Sequence, residues 1–308
     1  MQNPKSIAVL GAGAWGTGLA AIASAKGHRV SVWSRSGSLS LADAVKDADI
    51  ILSAISMKGV SEVAKQIQSF SISPNVIFVT ATKGLDPETT CTPSQIWQAM
   101  FPSHPVVVLS GPNLSKEIEQ QLPSATVVAS HSATAAELVQ IVFSSPQFRV
   151  YTNLDPLGVE LGGTLKNVIA IASGVCDGLH LGTNAKAALV TRGLTEMVRI
   201  GIHWGANKET FYGLSGLGDL LATCNSSLSR NYQVGYQLAQ GKALAEILDH
   251  LQGTAEGVNT CQVLVQRAKQ QNIPIPITEQ VYRLLQGEIT PRQALEELML
   301  RDMKPEYN

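Results

Sequence analysis

The stretch from Ser6 to Lys26 constrains this chain more than any other. A short apolar strand pattern, Ser6 to Leu10, runs into GAGAWG at Gly11 to Gly16 and then into an apolar helix pattern, Thr17 to Lys26. Strand, glycine turn and helix in that order open a βαβ unit. In such a unit Gly11 permits the tight turn and Gly13 lets backbone N–H groups approach a pyrophosphate. Gly16 allows close helix packing, with the helix N-terminus facing the anion. A lone GxGxxG is a weak signal, but here a second turn at Gly27 and a strand at Val30 to Trp33 complete the unit at the right length for a dinucleotide site. Where an NAD site usually carries a carboxylate for the ribose 2'-hydroxyl, the chain has Ser34 and Arg35, which favours a 2'-phosphate.

The alternation continues with an apolar strand in Asp49 to Ser56, a helix at Ser61 to Phe70 and a strand at Val76 to Thr80. Val106 to Leu109, Thr126 to Ala129 and Phe148 to Tyr151 extend the sheet, with a helix at Ala133 to Phe143. Lys83 lies just past a strand's carboxyl end, in the crevice where open parallel sheets bind ligands. After the next strand, SGPNLSKE offers a turn at Gly111-Pro112, and Asn113 or Ser115 is expected to cap the helix that follows.

Beyond Asp155-Pro156 only helical periods remain, which sets a domain boundary at about residue 153, with residues 1–153 in one domain and 154–308 in the other. Two domains suit 308 residues with 44% hydrophobic content. A net charge of -1 leaves no basic footprint for nucleic acid. Cys91, Cys176, Cys224 and Cys261 form no CxxC pair, which suits a reducing compartment and offers no metal site. No signal-peptide pattern or continuous membrane-length apolar run is visible, so a cytoplasmic protein without membrane insertion is expected.

In the second domain, ELGGTLKNVIAI at Glu160 to Ile171 places Lys166 in an otherwise apolar helical segment. Gly162 and Gly163 precede it by one turn. Each helix-interior glycine costs about 1 kcal/mol relative to alanine, so a pair implies that something approaches the backbone there. Asn184 is expected to cap the next helix, where Arg192 and Glu196, four apart, read as a surface pair. GLSGLGDLLATC at Gly213 to Cys224 reads as a flexible glycine turn that delivers Asp219 to a helix start. Ser229, Arg230 and Asn231 combine a fork-shaped cation with two neutral hydrogen-bonding groups, which suits a phosphate monoester. Helices are expected near Glu256 to Gln270, Glu279 to Gln286 and Pro291 to Leu300, the last with a Thr290/Gln293 capping box.

GAGAWG, ATKGL, SGPN, ELGGTLKNVIAI, TRGL, GLSGLGDL, SRN and AEG occur in an order that closely resembles the bacterial-type NAD(P)-dependent glycerol-3-phosphate dehydrogenase family over essentially the whole chain. The resemblance implies an α/β Rossmann domain, with a doubly wound, mostly parallel sheet, followed by an all-α domain. It implies reversible reduction of dihydroxyacetone phosphate to sn-glycerol 3-phosphate, which supplies the backbone for phospholipid synthesis. Lys166 is then the proton donor and acceptor, with Lys83 and Asp219 as catalytic partners. Lys83, Gly111, Asn113, Asp219, Ser229, Arg230 and Asn231 surround the substrate. Ala14, Trp15, Arg35, Lys83, Ser115, Arg230, Thr254 and Glu256 contact the cofactor, beside Gly11, Gly13, Gly16 and Ser34. NADPH is expected to be preferred, with NADH possible and no metal. The partners expected are the small-molecule substrate and a possible second copy of the chain. Between Arg35 and Leu41 the chain is shorter than the family pattern.

The chemistry suits the residues directly. As hydride reaches a ketone carbon, charge develops on its oxygen, and a positioned ammonium stabilises and then protonates that oxygen without a metal. Two other readings compete. One is a related β-hydroxyacid dehydrogenase acting on carboxylates, and the other is a dinucleotide-binding sensor without chemistry.

Overall fold

Runs rich in valine and isoleucine, bounded by glycine, proline and serine, become the seven strands of one sheet. They are β1 (Ser6–Leu10), β2 (Arg29–Trp33), β3 (Ile50–Ser53), β4 (Ile77–Thr80), β5 (Val106–Ser110), β6 (Ser124–Ala129) and β7 (Phe148–Asn153). The computed structural model describes residues 3–251, 253–303, 305 and 306. The strand order is β2-β1-β3-β4-β5-β6-β7, parallel throughout except between β5 and β6. Ile7 pairs with Val30 on one side and Ile50 on the other, so the chain leaves β1 in one direction and returns in the other. That reversal opens a crevice above the carboxyl ends of β1 and β3, where GAGAWG lies.

Helices α1 (Ala14–Ala25), α2 (Leu41–Val45), α3 (Met57–Gln68), α4 (Pro93–Met100), α5 (Ser115–Glu119) and α6 (Ala133–Phe143) cover the sheet. Leu19, Ile118 and Val139 of α1, α5 and α6 share one core with Val9 and Leu52, while Val45, Val60 and Trp97 of α2, α3 and α4 share the other with Leu10 and Phe78. Cores on both faces explain why the central strands read as continuous apolar runs rather than alternating ones.

Two local expectations differ here. Helix α4 was not read from the sequence, although Thr92-Pro93 with Gln95 forms the same capping box as Thr290-Pro291 with Gln293. Helix α5 is preceded by Leu114 and has no side-chain cap, so neither Asn113 nor Ser115 caps it. The Asn113 side chain instead donates to Ala125 O at 3.3 Å and accepts from Thr126 Oγ1 at 2.9 Å, which ties the turn to β6.

From Pro156 onward the chain is helical: α7 (Pro156–Gly178), α8 (Gly182–His203), a 3₁₀ turn (Lys208–Tyr212), a π turn (Leu214–Gly218), α9 (Asp219–Cys224), α10 (Arg230–Ala239), α11 (Leu244–His250), α12 (Glu256–Gln270), α13 (Pro276–Leu285) and α14 (Pro291–Met299). Helix α7 is the axis of this part. Leu161, Leu165 and Ile169 feed one core, and Val168, Ile171 and Val175 feed another. It is long and apolar enough to cross a membrane, yet 94% of its most apolar window is buried inside the fold.

Helix α8 begins at Gly182 with Leu181 before it, so Asn184 lies inside the helix and is not its cap. The expected Arg192–Glu196 surface pair is also replaced. Glu196 is buried and accepts from Ile277 N at 2.9 Å, Thr278 N at 3.0 Å and Thr278 Oγ1 at 2.5 Å, while Arg192 donates to Glu306 O. A carboxylate serving the orphan N–H groups of α13 is worth more than an exposed pair. Glu196→Ala should therefore destabilise the protein by about 1–3 kcal/mol for the donors left unmet. Urea unfolding checks this, and an unchanged midpoint would contradict it.

Candidate active site

The glycine pair before Lys166 is where three segments reach the α7 backbone. A Cβ on Gly162 would lie 2.6 Å from Ser215 O, and one on Gly163 would lie 2.3 Å from Ser110 Oγ and 3.2 Å from Lys83 Cε. The first contact admits the π turn, closed by Gly218 N donating to Gly213 O at 3.1 Å. This segment is a defined helical turn and not the flexible one expected, and it sets Asp219 at the first position of α9. At Gly163 the Ser110 side chain, at the end of β5, comes nearest, and the Lys83 stem lies beside it across α7.

Lys166 is 6% exposed and Asp219 1%. Lys166 Nζ donates to Asp219 Oδ1 and, at 2.5 Å, to Thr223 Oγ1. The other carboxylate oxygen, Asp219 Oδ2, lies 2.6 Å from Lys83 Nζ, which also donates to Gly111 O at 3.3 Å. One carboxylate thus bridges two ammonium groups, one from each half of the chain, and a positive charge remains. Burial pushes the Lys166 pKa down to about 8, Asp219 opposes that shift and Lys83 adds to it. The Cys224 thiol beside this group is buried and pushed up to about 12, so it stays neutral. Thr223 was missed in the sequence. Its signal was the spacing of four from Asp219, which stacks a carboxylate and a hydroxyl on one face of a single helical turn.

The SRN run divides by role. Ser229 is the N-cap of α10 and accepts from Tyr232 N at 3.2 Å, while Asn231 accepts from Gly257 N at 3.0 Å. Arg230 is exposed and its guanidinium lies against Gly253. Glu256 Oε1 accepts from Thr254 Oγ1 at 3.1 Å and from Met57 N at 3.4 Å, which joins α12 to the start of α3. Burial raises the Glu256 pKa, opposed by its Thr254 and Met57 bonds and by the charges of Arg230 and Lys58.

The other half of the site is the start of α1. Gly11 has φ +117° and its Cβ would lie 2.6 Å from Ala54 O, so the turn requires glycine. Gly13, the N-cap, has an ordinary φ of -74°, and a Cβ there would meet nothing within 4 Å. Neither backbone nor neighbours demand that glycine; it leaves open space in front of the N–H groups of Ala14, Trp15 and Gly16. The helix has no side-chain cap and no acidic residue in its first turn. Uncapped donors facing free space fit a pyrophosphate. Ser34 and Arg35 follow β2. The Arg35 side chain is 75% exposed and lies 3.6 Å from Glu62. Ser115, half-buried, opens α5.

Among the described residues no cluster of three or more His, Cys, Asp or Glu side chains could hold a metal. An apolar cavity of 480 Å³ lies elsewhere, among α7, α8, α13 and α14, and contains neither Lys166 nor Asp219.

Known proteins match both halves. The family model for the NAD-dependent glycerol-3-phosphate dehydrogenase C-terminus matches residues 155–296, and that for the N-terminus matches residues 6–40 and 36–136. The two N-terminal matches overlap at residues 36–40, within the segment between Arg35 and Leu41 that was expected to be short. A glycerol-3-phosphate dehydrogenase (NAD(P)+) of Trichormus variabilis is 79% identical over 100% of both chains, and one of Acaryochloris marina is 64% identical over 99% of this chain and 98% of that one. A glycerol-3-phosphate dehydrogenase structure from Coxiella burnetii superposes with a TM-score of 0.93 at 33% identity, covering 97% of this chain and 99% of that one. The lysine pair on one carboxylate, the uncapped glycine-turn helix and these matches agree, and the chain belongs to the NAD-dependent glycerol-3-phosphate dehydrogenase family.

Proposed function

We propose that the protein catalyses the NAD(P)H-dependent, reversible reduction of dihydroxyacetone phosphate to sn-glycerol 3-phosphate, with Lys166 as proton donor and acceptor. The observation that carries this reading is the buried Lys166 ammonium held by Asp219 and Thr223 beside Lys83. The nicotinamide, when bound, supplies the hydride. Residues 1–153 hold the dinucleotide, with Gly11, Gly13, Ala14, Trp15 and Gly16 at its pyrophosphate and Ser34 and Arg35 at the 2'-phosphate. Ser115, Thr254 and Glu256 complete the cofactor contacts in this reading. Residues 154–308 hold the substrate.

Charge growing on the ketone oxygen is stabilised by the cationic centre, and Lys166 Nζ gives up its proton to that oxygen. Asp219 orients the ammonium, and Lys83 holds the site net positive. A pKa near 8 keeps both forms of Lys166 accessible near neutrality, so the same nitrogen accepts the proton when the alcohol is oxidised. Remote binding of the phosphate by Arg230, with Ser229, Asn231, Gly111 and Asn113 around the substrate, fixes the carbonyl. The reading needs no partner chain in the site, suits the cytoplasm, and leaves a homodimer compatible with it. NADPH oxidation that depends on dihydroxyacetone phosphate is the direct test; oxidation driven instead by hydroxyacids or their keto forms would favour the related dehydrogenases.

Arg230→Ala should raise the KM for dihydroxyacetone phosphate steeply, with a much smaller defect on the phosphate-free ketone. Equal damage with both substrates would separate Arg230 from the phosphate. Arg35→Ala should lower kcat/KM for NADPH by roughly 10-fold and leave NADH nearly unchanged, the low end of a charged hydrogen bond because the guanidinium is exposed to water and salt. The ratio of the two cofactors' kcat/KM in wild type and variant decides this; an unchanged ratio removes Arg35 from the site.

A further inference from the structure

Two buried acceptors on α7 have entered no step so far. Glu160 and Thr164 are four residues apart, hence on one face of the helix. Glu160, 1% exposed, accepts from Ser94 N at 2.9 Å and Ser94 Oγ at 2.5 Å, in the first turn of α4. Thr164, fully buried, accepts from Gly84 N at 3.1 Å through its hydroxyl. Both donors belong to the sheet-bearing half of the chain, and Gly84 directly follows Lys83. Between the two acceptors lies Gly163, in whose notch the Lys83 stem rests beside the Ser110 hydroxyl. Two residues beyond Thr164 stands Lys166.

We propose that Glu160 and Thr164 form a two-point clamp that sets the position of Lys83 against the Lys166–Asp219 pair, and so act as positioning residues for proton transfer. The proposal rests on the reading of Lys166 given above. A lysine has a long, freely rotating stem, so the 2.6 Å contact of Lys83 with Asp219 is reproducible only if its backbone is held. The Thr164 bond holds the adjoining peptide. The Glu160 bonds use the orphan N–H groups and positive end of α4, the helix that follows the Lys83 loop. Burial pushes the Glu160 carboxyl up to about 7, and its bonds to Ser94 and Thr92 oppose that shift.

If the clamp is loosened, Lys83 leaves Asp219. The charged and titratable groups facing Lys166 are Asp219 and Cys224 on α9 and Lys83 after β4. Losing Lys83 removes a repulsion and leaves the carboxylate to Lys166 alone, so Lys166 holds its proton to higher pH. A change of fold stability alone would not do this.

The test compares Thr164→Val, Ser94→Ala and the hydroxyl-retaining Thr164→Ser with wild type. Thr164→Val should bind NADPH as wild type does and lose about 10- to 100-fold in kcat, the scale of a 1 Å misplacement. Its glycerol 3-phosphate oxidation should switch on at higher pH. Thr164→Ser should restore both, and Ser94→Ala should shift both in the same direction by less. Variants that melt at lower temperature yet keep kcat and the pH profile would overturn the clamp. If Thr164→Val does not fold, an unchanged kcat and pH profile in Ser94→Ala overturns it alone. An inactive wild type would overturn the functional reading and the clamp with it, whereas an active wild type with unaffected variants removes only the clamp.

Discussion

Lys166→Ala should lower turnover with dihydroxyacetone phosphate by at least about 10² to 10⁴-fold, the usual contribution of a general acid or base, and more where alkoxide stabilisation is lost with it. NADPH binding should persist, because the uncapped start of α1, the proposed pyrophosphate site, lies in the other half of the chain. The substitution also removes one of two cations on Asp219 and leaves Lys83 paired with it. The variant should therefore fold, which makes kcat a clean readout. Turnover above about a tenth of wild type would remove Lys166 from the chemistry. Fluorescence titration with NADPH separates loss of catalysis from loss of cofactor.

Asp219→Asn carries the second large effect, on stability and rate together. Its shape is conserved, but Lys166 and Lys83 are left facing each other without a counter-charge. Breaking a buried pair by removing one partner costs about 3–5 kcal/mol. For a chain of this size each kcal/mol lowers the melting temperature by roughly 2–4 °C. The same change removes the group that holds up the Lys166 pKa, so the amine goes neutral at lower pH and reduction loses its acid. Urea unfolding and kcat at neutral pH check both parts. A loss of under about 1 kcal/mol would mean that the carboxylate does not neutralise the two lysines.

Much of this arrangement was legible in the residues themselves. Alternating apolar runs and helix periods give the seven strands because both faces of the sheet are covered. The glycines at 162 and 163 announced a close approach that proves to be the π turn at one and Ser110 with the Lys83 stem at the other. Single-chain patterns carry no partner information, however, and the misreadings lie there. Glu196 and Arg192 have helical spacing, so a surface pair was the local reading, whereas Glu196 serves the start of α13, a helix some eighty residues away in the chain. Asn113 has cap chemistry but is claimed by β6. Glu160 and Thr164 look like ordinary helix residues until the other half of the chain is laid against them. Thr223 is the opposite case, since its spacing from Asp219 was visible and its meaning depended on which lysine faced it.

The central claim is that a buried lysine with a lowered pKa exchanges the proton with the substrate oxygen. Reduction needs Lys166 charged and oxidation needs it neutral, so the two directions must respond to pH with opposite sign. The most direct measurement is single-turnover hydride transfer in both directions across pH values from about 6 to 10, which isolates the chemical step. The expected result is that dihydroxyacetone phosphate reduction is fast at low pH and falls above about 8, while glycerol 3-phosphate oxidation rises through the same region. Rates in the two directions that rise and fall together, or that stay flat through that region, would contradict it.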